Sequence, residues 1–344
     1  MPKFTGLSKE EGHSGRNKSA VLLVNLGTPD AATPDAVRRY LAEFLSDPRV
    51  IEIPKLLWQL ILRGIILRTR PKKSAALYKE VWTEEGSPLM AISVRQQQKL
   101  MALLNADKGL NSQKAIDTKV YLAMRYGNPS IASVLQQMQC DGVDKMIVLP
   151  LYPQYAAPTT ASVFDAIAKE FMQWRYLPSL HFIHTYHDNP DFINALCQSV
   201  KNDFDKNGKP QKLVLSYHGM PKRNLELGDP YYCFCVKTTR LLVEKLGLTD
   251  DDYVMTFQSR FGKATWLQPY TDVTMKAFPS RGINDVAVVC PAFSADCLET
   301  LEEISGENKT LFMDAGGQHF RYIPALNDDD LHIKMMANLV SAYL

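Results

Sequence analysis

No disulfide framework is written into this chain. Its six cysteines fall at 140, 197, 233, 235, 290 and 297. There is no C-x-x-C pair and no zinc-finger spacing, so neither a stapled secreted scaffold nor a structural zinc module is encoded. Cys233 and Cys235 read as two unrelated thiols, and a reducing cytoplasm suits such a chain. An excess of one charge is missing too: 39 Lys+Arg against 37 Asp+Glu leave a formal net charge of +2. That excludes a nucleic-acid backbone binder, which needs a clear basic excess, and a polyelectrolyte-like disordered chain. Phosphate-loop glycines are absent. Gly27-Thr28-Pro29 follows the first apolar run, but no G-x-G-x-x-G or G-x-x-x-x-G-K-[ST] accompanies it, and Pro29 has no N–H to offer a phosphate. Residues 1–19 carry Lys3, Lys9, Arg16 and Lys18 without an apolar core; they read as a flexible polar extension, not a signal peptide. No internal repeat or low-complexity tract is visible.

What is present is a strand–helix alternation. Seven apolar runs read as buried strands: Val21–Leu26, Val120–Met124, Met146–Leu151, His181–Tyr186, Leu213–Tyr217, Tyr253–Phe257 and Val286–Cys290. Helical patterns lie between most of them, as over Pro34–Leu45, Ser130–Met138, Pro190–Asp203 and Tyr232–Leu246. Such alternation predicts βαβ units and parallel sheets, and a chain of 344 residues predicts two domains. The break is expected at Pro178. This gives an N-terminal domain over 20–178, a C-terminal domain over 179–327, and a terminal helix over 328–344 that packs back on the first domain.

Segment 54–67 is unusual. Lys55, Gln59 and Arg63 make a narrow polar stripe and nearly everything else is apolar. The run is too short and too charged to span a bilayer. It reads either as a mostly buried helix or as an exposed lip that touches membrane or a greasy ligand. Arg68, Arg70, Lys72 and Lys73 follow at once and suit anionic headgroups or carboxylates.

In open α/β sheets ligands bind beyond the carboxyl ends of the strands. Those ends carry Arg125-Tyr126-Gly127, His218-Gly219-Met220-Pro221, Gln258-Ser259-Arg260 and Pro291-Ala292-Phe293-Ser294. A set so rich in aromatic residues, Pro and Met suggests a large flat apolar ligand. His218, at the end of a strand, reads either as a satisfied structural histidine or as a functional imidazole. After the last strand comes Ser294-Ala295-Asp296-Cys297-Leu298-Glu299-Thr300-Leu301-Glu302-Glu303. On an α-helix Asp296, Glu299 and Glu303 would share one face, either as a solvated acidic surface or as a ladder of hard oxygen ligands for a divalent cation in transit.

These motifs resemble the ferrochelatase family, which inserts Fe2+ into a porphyrin. The matching stretches are VLLVNLGTPD (21–30), EEGSPL (84–89), AMRYGNPS (123–130), LPLYPQYAAPTTAS (149–162), LSYHGMP (215–221), GDPYY (228–232), FQSRFGKATWLQPYTD (257–272) and PAFSADCLETLEEI (291–304). The resemblance implies two Rossmann-like, chelatase-type domains, each a mostly parallel sheet flanked by helices, with a porphyrin cleft between them and 54–67 as its lip. It places catalytic and metal-binding roles on His218 and Glu299, and a metal path on Glu303 and Asp296. It places porphyrin contacts on Leu26, Arg125, Tyr126, Trp266 and Phe293. Cys297 stands where animal members have His. Leu26 stands where coproporphyrin-using members have Tyr, which favours protoporphyrin IX over coproporphyrin III. No [2Fe–2S] cluster is expected, because the internal cluster cysteine has no counterpart in Gln154–Pro158. Fe2+ is then a substrate rather than a prosthetic group. The expected setting is the cytoplasm, with transient membrane contact through 54–67. A different tetrapyrrole chelatase or a haem or porphyrin carrier are the alternatives, though a carrier has no need of an acidic ladder.

Overall fold

The computed structural model describes residues 4–6, 18–106, 118–262 and 264–344. Lys3, Lys9 and Arg16 of the expected N-terminal extension lie outside the described residues. The chain forms two compact units. Unit 1 comprises Met1–Leu151, Ala157–His184 and Ile333–Leu344; unit 2 comprises Tyr152–Ala156 and Thr185–His332.

Unit 1 is built on four parallel strands: β1 (Lys18–Thr28), β2 (Lys119–Gly127), β3 (Val143–Pro150) and β4 (Ser179–Phe182), in the order β2-β1-β3-β4. The centre of β1, Ala20–Val24, is fully buried. It is an unbroken apolar run because helices cover both faces of a parallel sheet. The helix after β1, Pro34–Phe44, starts where Thr33 accepts a hydrogen bond from the Ala36 N–H and Pro34 sits in the first turn.

Unit 2 repeats that topology with β5 (Lys212–His218), β6 (Tyr253–Gln258), β7 (Asp285–Val289) and β8 (His319–Ile323), in the order β6-β5-β7-β8, all parallel. Each sheet thus has its first strand inside and its second at an edge. The repetition is one of chain path, without a repeat in the sequence.

Two expectations are corrected. Among the described residues there are eight strands, not seven: β8 reads His-Phe-Arg-Tyr-Ile, and an edge strand lacks the continuous apolar run that betrays a central one. The strand expected to open the second domain, after Pro178, is β4, which pairs with β3 through Lys145↔Ser179 to Val148↔Phe182. Proline at a strand's margin is tolerated because no ladder N–H is needed there, so Pro178 marks no domain break. Apart from the short Tyr152–Ala156 segment, the units divide at 184/185 and again at 332/333.

Segment 54–67 is a helix over Lys55–Ile61 followed by a π-helical turn over Leu62–Ile66. None of Lys55–Ile61 is buried, and Leu56, Leu57, Leu60 and Ile65 are exposed. Of the two readings, the mostly buried helix is therefore excluded.

Candidate active site

The carboxyl end of β5 carries His218. Its Nδ1 lies 2.7 Å from the carbonyl oxygen of Gly219. A carbonyl can only accept, so Nδ1 carries the proton, and Nε2 is the nitrogen with the lone pair. Two further contacts fix the residue. Its carbonyl accepts from the Tyr231 hydroxyl at 3.0 Å, and the Gly219 N–H donates to the Gln258 carbonyl at 2.8 Å. Gly219 is required here: a Cβ would stand 2.5 Å from that carbonyl oxygen and 3.1 Å from a Trp266 ring carbon. Gly219→Ala is therefore expected to destabilise the protein by ~1–3 kcal/mol through forced backbone shifts, measured by urea unfolding. An unchanged unfolding midpoint would show that the approach is slack.

Gln258 joins this strand end to the acidic segment. It is buried, and Ser216 donates to its Oε1 at 2.8 Å. Its Nε2 donates to the Glu299 carbonyl at 2.9 Å and to the Glu303 carboxylate at 3.4 Å. Ser259 adds its N–H to Glu303 at 2.6 Å, and its hydroxyl donates to the other carboxylate oxygen. Aiming both groups at one carboxylate puts Ser259 at φ 62°, the left-handed region that non-glycine residues seldom occupy. Burial raises the pKa of Glu303. Hydrogen bonds from Ser259 and the positive influence of His218 oppose that rise, while the charge of Glu299 adds to it. His218, Glu299 and Glu303 therefore form one electrostatic group.

Glu299 and Glu303 sit on a π-helix, Glu299–Asn308. The expected α-helix is not formed, and this changes the geometry of the ladder. With i→i+5 bonding the turn is wider than in an α-helix. Asp296 is not on this helix. It is buried, and its carboxylate accepts from the Tyr322 hydroxyl at 2.5 Å, Thr300 Oγ1 at 3.0 Å, Asn327 Nδ2 at 2.7 Å and the Ala325 N–H at 3.3 Å. It fastens the start of the π-helix to the segment after β8, instead of sharing a face with Glu299 and Glu303. The Cys297 thiol is buried, and burial together with the neighbouring Glu299 keeps it protonated.

Trp266 is buried, donates its indole N–H to the Phe261 carbonyl at 3.0 Å, and lines an open groove of about 390 Å³ with Glu303, Glu307, Asp272 and Asn308. Phe293 stands 6.4 Å from His218 between ring centroids, backed by the core around Val288 and Cys290. Sequence reasoning set Gln258 and Ser259 at a strand end without giving them a role, and passed over Glu307. The four-residue spacing of Glu299 and Glu303, carried one turn further, was the signal available for Glu307.

The remaining expected residues lie in unit 1. Leu26 is half-buried at the end of β1, its N–H bonded to the Asn25 side chain at 2.8 Å. Arg125 and Tyr126 turn inward. The Arg125 guanidinium donates to Asp47 at 2.5 Å and to Ser162, and the Tyr126 hydroxyl, fully buried, donates to Asp47 at 2.8 Å. Their polar ends are engaged inside the unit.

The sequence model of the ferrochelatase family matches residues 18–344. The chain is 72% identical over 333 residues to ferrochelatase 2 of Shewanella oneidensis, covering 97% of this chain and 100% of that protein. It is 53% identical over 328 residues to the ferrochelatase of Idiomarina loihiensis, covering 95% of this chain and 88% of that one. Among solved structures it is similar to the sirohydrochlorin chelatase SirB from Bacillus subtilis subspecies spizizenii in complex with cobalt, with a TM-score of 0.52 at 12% identity over 94% of each chain. It is also similar to CbiX, the terminal enzyme for biosynthesis of siroheme in denitrifying bacteria, with a TM-score of 0.50 at 13% identity over 94% of this chain and 99% of that one. At such identities those structures speak for the fold alone: two parallel sheets flanked by helices, as in the chelatases. Sequence identity across nearly the whole length is decisive: the chain belongs to the ferrochelatase family.

Proposed function

We propose that this protein inserts Fe2+ into protoporphyrin IX, releasing two protons and giving protohaem, the terminal step of haem biosynthesis. His218 carries the proposal, because its Nδ1–H is spent on Gly219, which leaves Nε2 its lone pair, and the residue lies within electrostatic reach of Glu303. Metalation must remove two pyrrole protons and strip water from the ion. An imidazole nitrogen suits proton acceptance at neutral pH. That nitrogen can hold the ion or take a proton, not both at once, so Glu299 supplies the complementary function at each stage. Glu303, held by Ser259 and Gln258, passes the cation inward, with Glu307 further out along the π-helix. Trp266 and Phe293 offer flat apolar faces to the macrocycle; Leu26, whose side chain carries no hydroxyl, favours protoporphyrin over coproporphyrin. Arg125 and Tyr126 act one step back, shaping unit 1 from within. Anaerobic incubation with Fe2+ and protoporphyrin IX, followed at the Soret band, tests this. Coproporphyrin III runs in parallel, and a no-iron control separates turnover from mere binding. No iron-dependent spectral change, or a preference for coproporphyrin, would overturn the assignment.

Among the described residues no helix is long and apolar enough to cross a membrane. The lip instead suits a protein that visits the membrane surface from the cytoplasm. Leu56 is 86% and Leu60 73% exposed, with Arg63 and Arg68 alongside. Apolar side chains beside cations favour an anionic interface, weakly and in a salt-sensitive way. Trp58 is a poor probe, because its indole N–H is tied to the Leu45 carbonyl at 2.5 Å. Leu60→Asp is the cleaner change: binding to phosphatidylglycerol vesicles should fall about tenfold, the worth of one buried leucine, with the melting temperature unchanged. A lowered melt with vesicle binding retained would remove the lip from the membrane.

A further inference from the structure

Little core burial holds the lip. Leu62 is the sole buried side chain between Lys55 and Ile66. Its first half rests on the preceding turn: Trp58 Nε1 donates to the Leu45 carbonyl at 2.5 Å and Gln59 Nε2 to Ser46 Oγ at 3.3 Å. That turn is shaped around Asp47, whose carbonyl accepts from the N–H groups of Val50 and Ile51 at 3.1 and 3.0 Å.

The Asp47 side chain is 4% exposed and gathers four donors. One oxygen takes the Arg49 N–H at 2.8 Å. The other takes Arg125 Nη2 at 2.5 Å, the Tyr126 hydroxyl at 2.8 Å and Ser162 Oγ at 2.6 Å. Arg125 also donates through Nε to the Ser162 carbonyl at 2.9 Å and to Ser162 Oγ at 2.6 Å. An ionised carboxylate alone, with acceptor sites and no protons, satisfies such a set. Arg49 adds a second latch, donating to Asp165 at 2.7 and 3.1 Å. A single acidic residue therefore ties the base of the lip to the end of β2 and to the start of the helix Ser162–Phe171.

We propose that Asp47 is the positioning residue of the lip, a buried anion that fixes the turn from which the exposed apolar helix projects and so sets the pose in which porphyrin is captured. This rests on the function proposed above. It also accounts for the inward turn of Arg125 and Tyr126: both serve Asp47.

The test is Asp47→Asn in the full-length protein, read in two ways. Initial tryptic cleavage at Lys55, Arg63 and Arg68, followed by mass spectrometry, should rise about tenfold relative to cuts within Pro190–Asn207, as expected when local opening loses a charge-assisted network. KM for protoporphyrin delivered from phosphatidylglycerol vesicles should rise several-fold with kcat unchanged. Ser162→Ala keeps the charge pair and should move both readouts the same way by about two- to fivefold; it carries the test if Asp47→Asn does not fold. Cleavage that rises equally across both units, or a lower kcat with KM unchanged, would mean that Asp47 only stabilises the fold, and would overturn the proposal. Lip cleavage at the wild-type rate, or faster lip cleavage with KM unmoved, would overturn it too. Cleavage needs no turnover. If the wild-type protein fails to metalate porphyrin, the assigned activity falls, while lip cleavage together with vesicle co-sedimentation still decides the role of Asp47.

Discussion

Replacing His218 by alanine is expected to lower the rate of porphyrin metalation by ~10²–10⁴-fold, the usual cost of a lost general base. Porphyrin affinity should change little, because the flat apolar contacts assigned to Trp266 and Phe293 remain. The backbone at 218 is held independently of the imidazole, through Tyr231 and the strand pairing of His218 with Gln258. A drop in kcat without loss of fold is thus the specific expectation, and fluorescence titration with protoporphyrin beside a single-turnover assay measures both quantities. Turnover within a few-fold of the wild type would remove His218 from the chemistry.

Glu299→Gln should be nearly as damaging, by ~10²–10³-fold in kcat, because an amide keeps the shape and deletes the charge that stabilises an incoming cation and departing protons. Glu303→Gln should be milder. Its side-chain oxygen can keep the Ser259 N–H, and its amide can donate to the Ser259 hydroxyl once that hydroxyl rotates, so the Ser259 half of the clasp persists without charge while the long contact from Gln258 Nε2 is lost. Ordering the two variants by iron-dependent kcat and by iron KM separates the inner carboxylate from the outer one. A larger kcat loss for Glu303→Gln would reverse the assigned order along the π-helix.

Central strands were legible in the sequence for a physical reason. β1 and β5 are covered on both faces, so Ala20–Val24 and Leu213–Leu215 are apolar without interruption. Edge strand β8 has no such obligation and escaped. β4 was seen but given to the wrong sheet, because Pro178 looks like a boundary and pairing partners leave no local mark. The acidic segment was recognised by its motif, yet its helix type was not. A π-helix differs from an α-helix by one residue in its hydrogen-bond register, and composition does not announce that. Asp47 was overlooked altogether. Its partner Arg125 lies 78 residues away, and an aspartate in a turn ordinarily faces water. Family resemblance assigned Arg125 and Tyr126 to the ligand by position; only the fold reveals that their polar ends meet an internal carboxylate.

The route of the chain has a consequence for its biosynthesis. Polypeptides emerge N-terminus first, and domains fold largely as they are made. Unit 2 has every residue it needs once position 332 has left the ribosome, whereas unit 1 still lacks Ile333–Leu344. That missing stretch is not trim: Met335, Met336 and Val340 are fully buried, and Tyr343 stacks on His181 with ring centroids 3.3 Å apart. The unit whose synthesis starts first is therefore completed last. Throughout the synthesis of residues 185–332, unit 1 waits with the apolar seat of Met335, Met336 and Val340 unfilled.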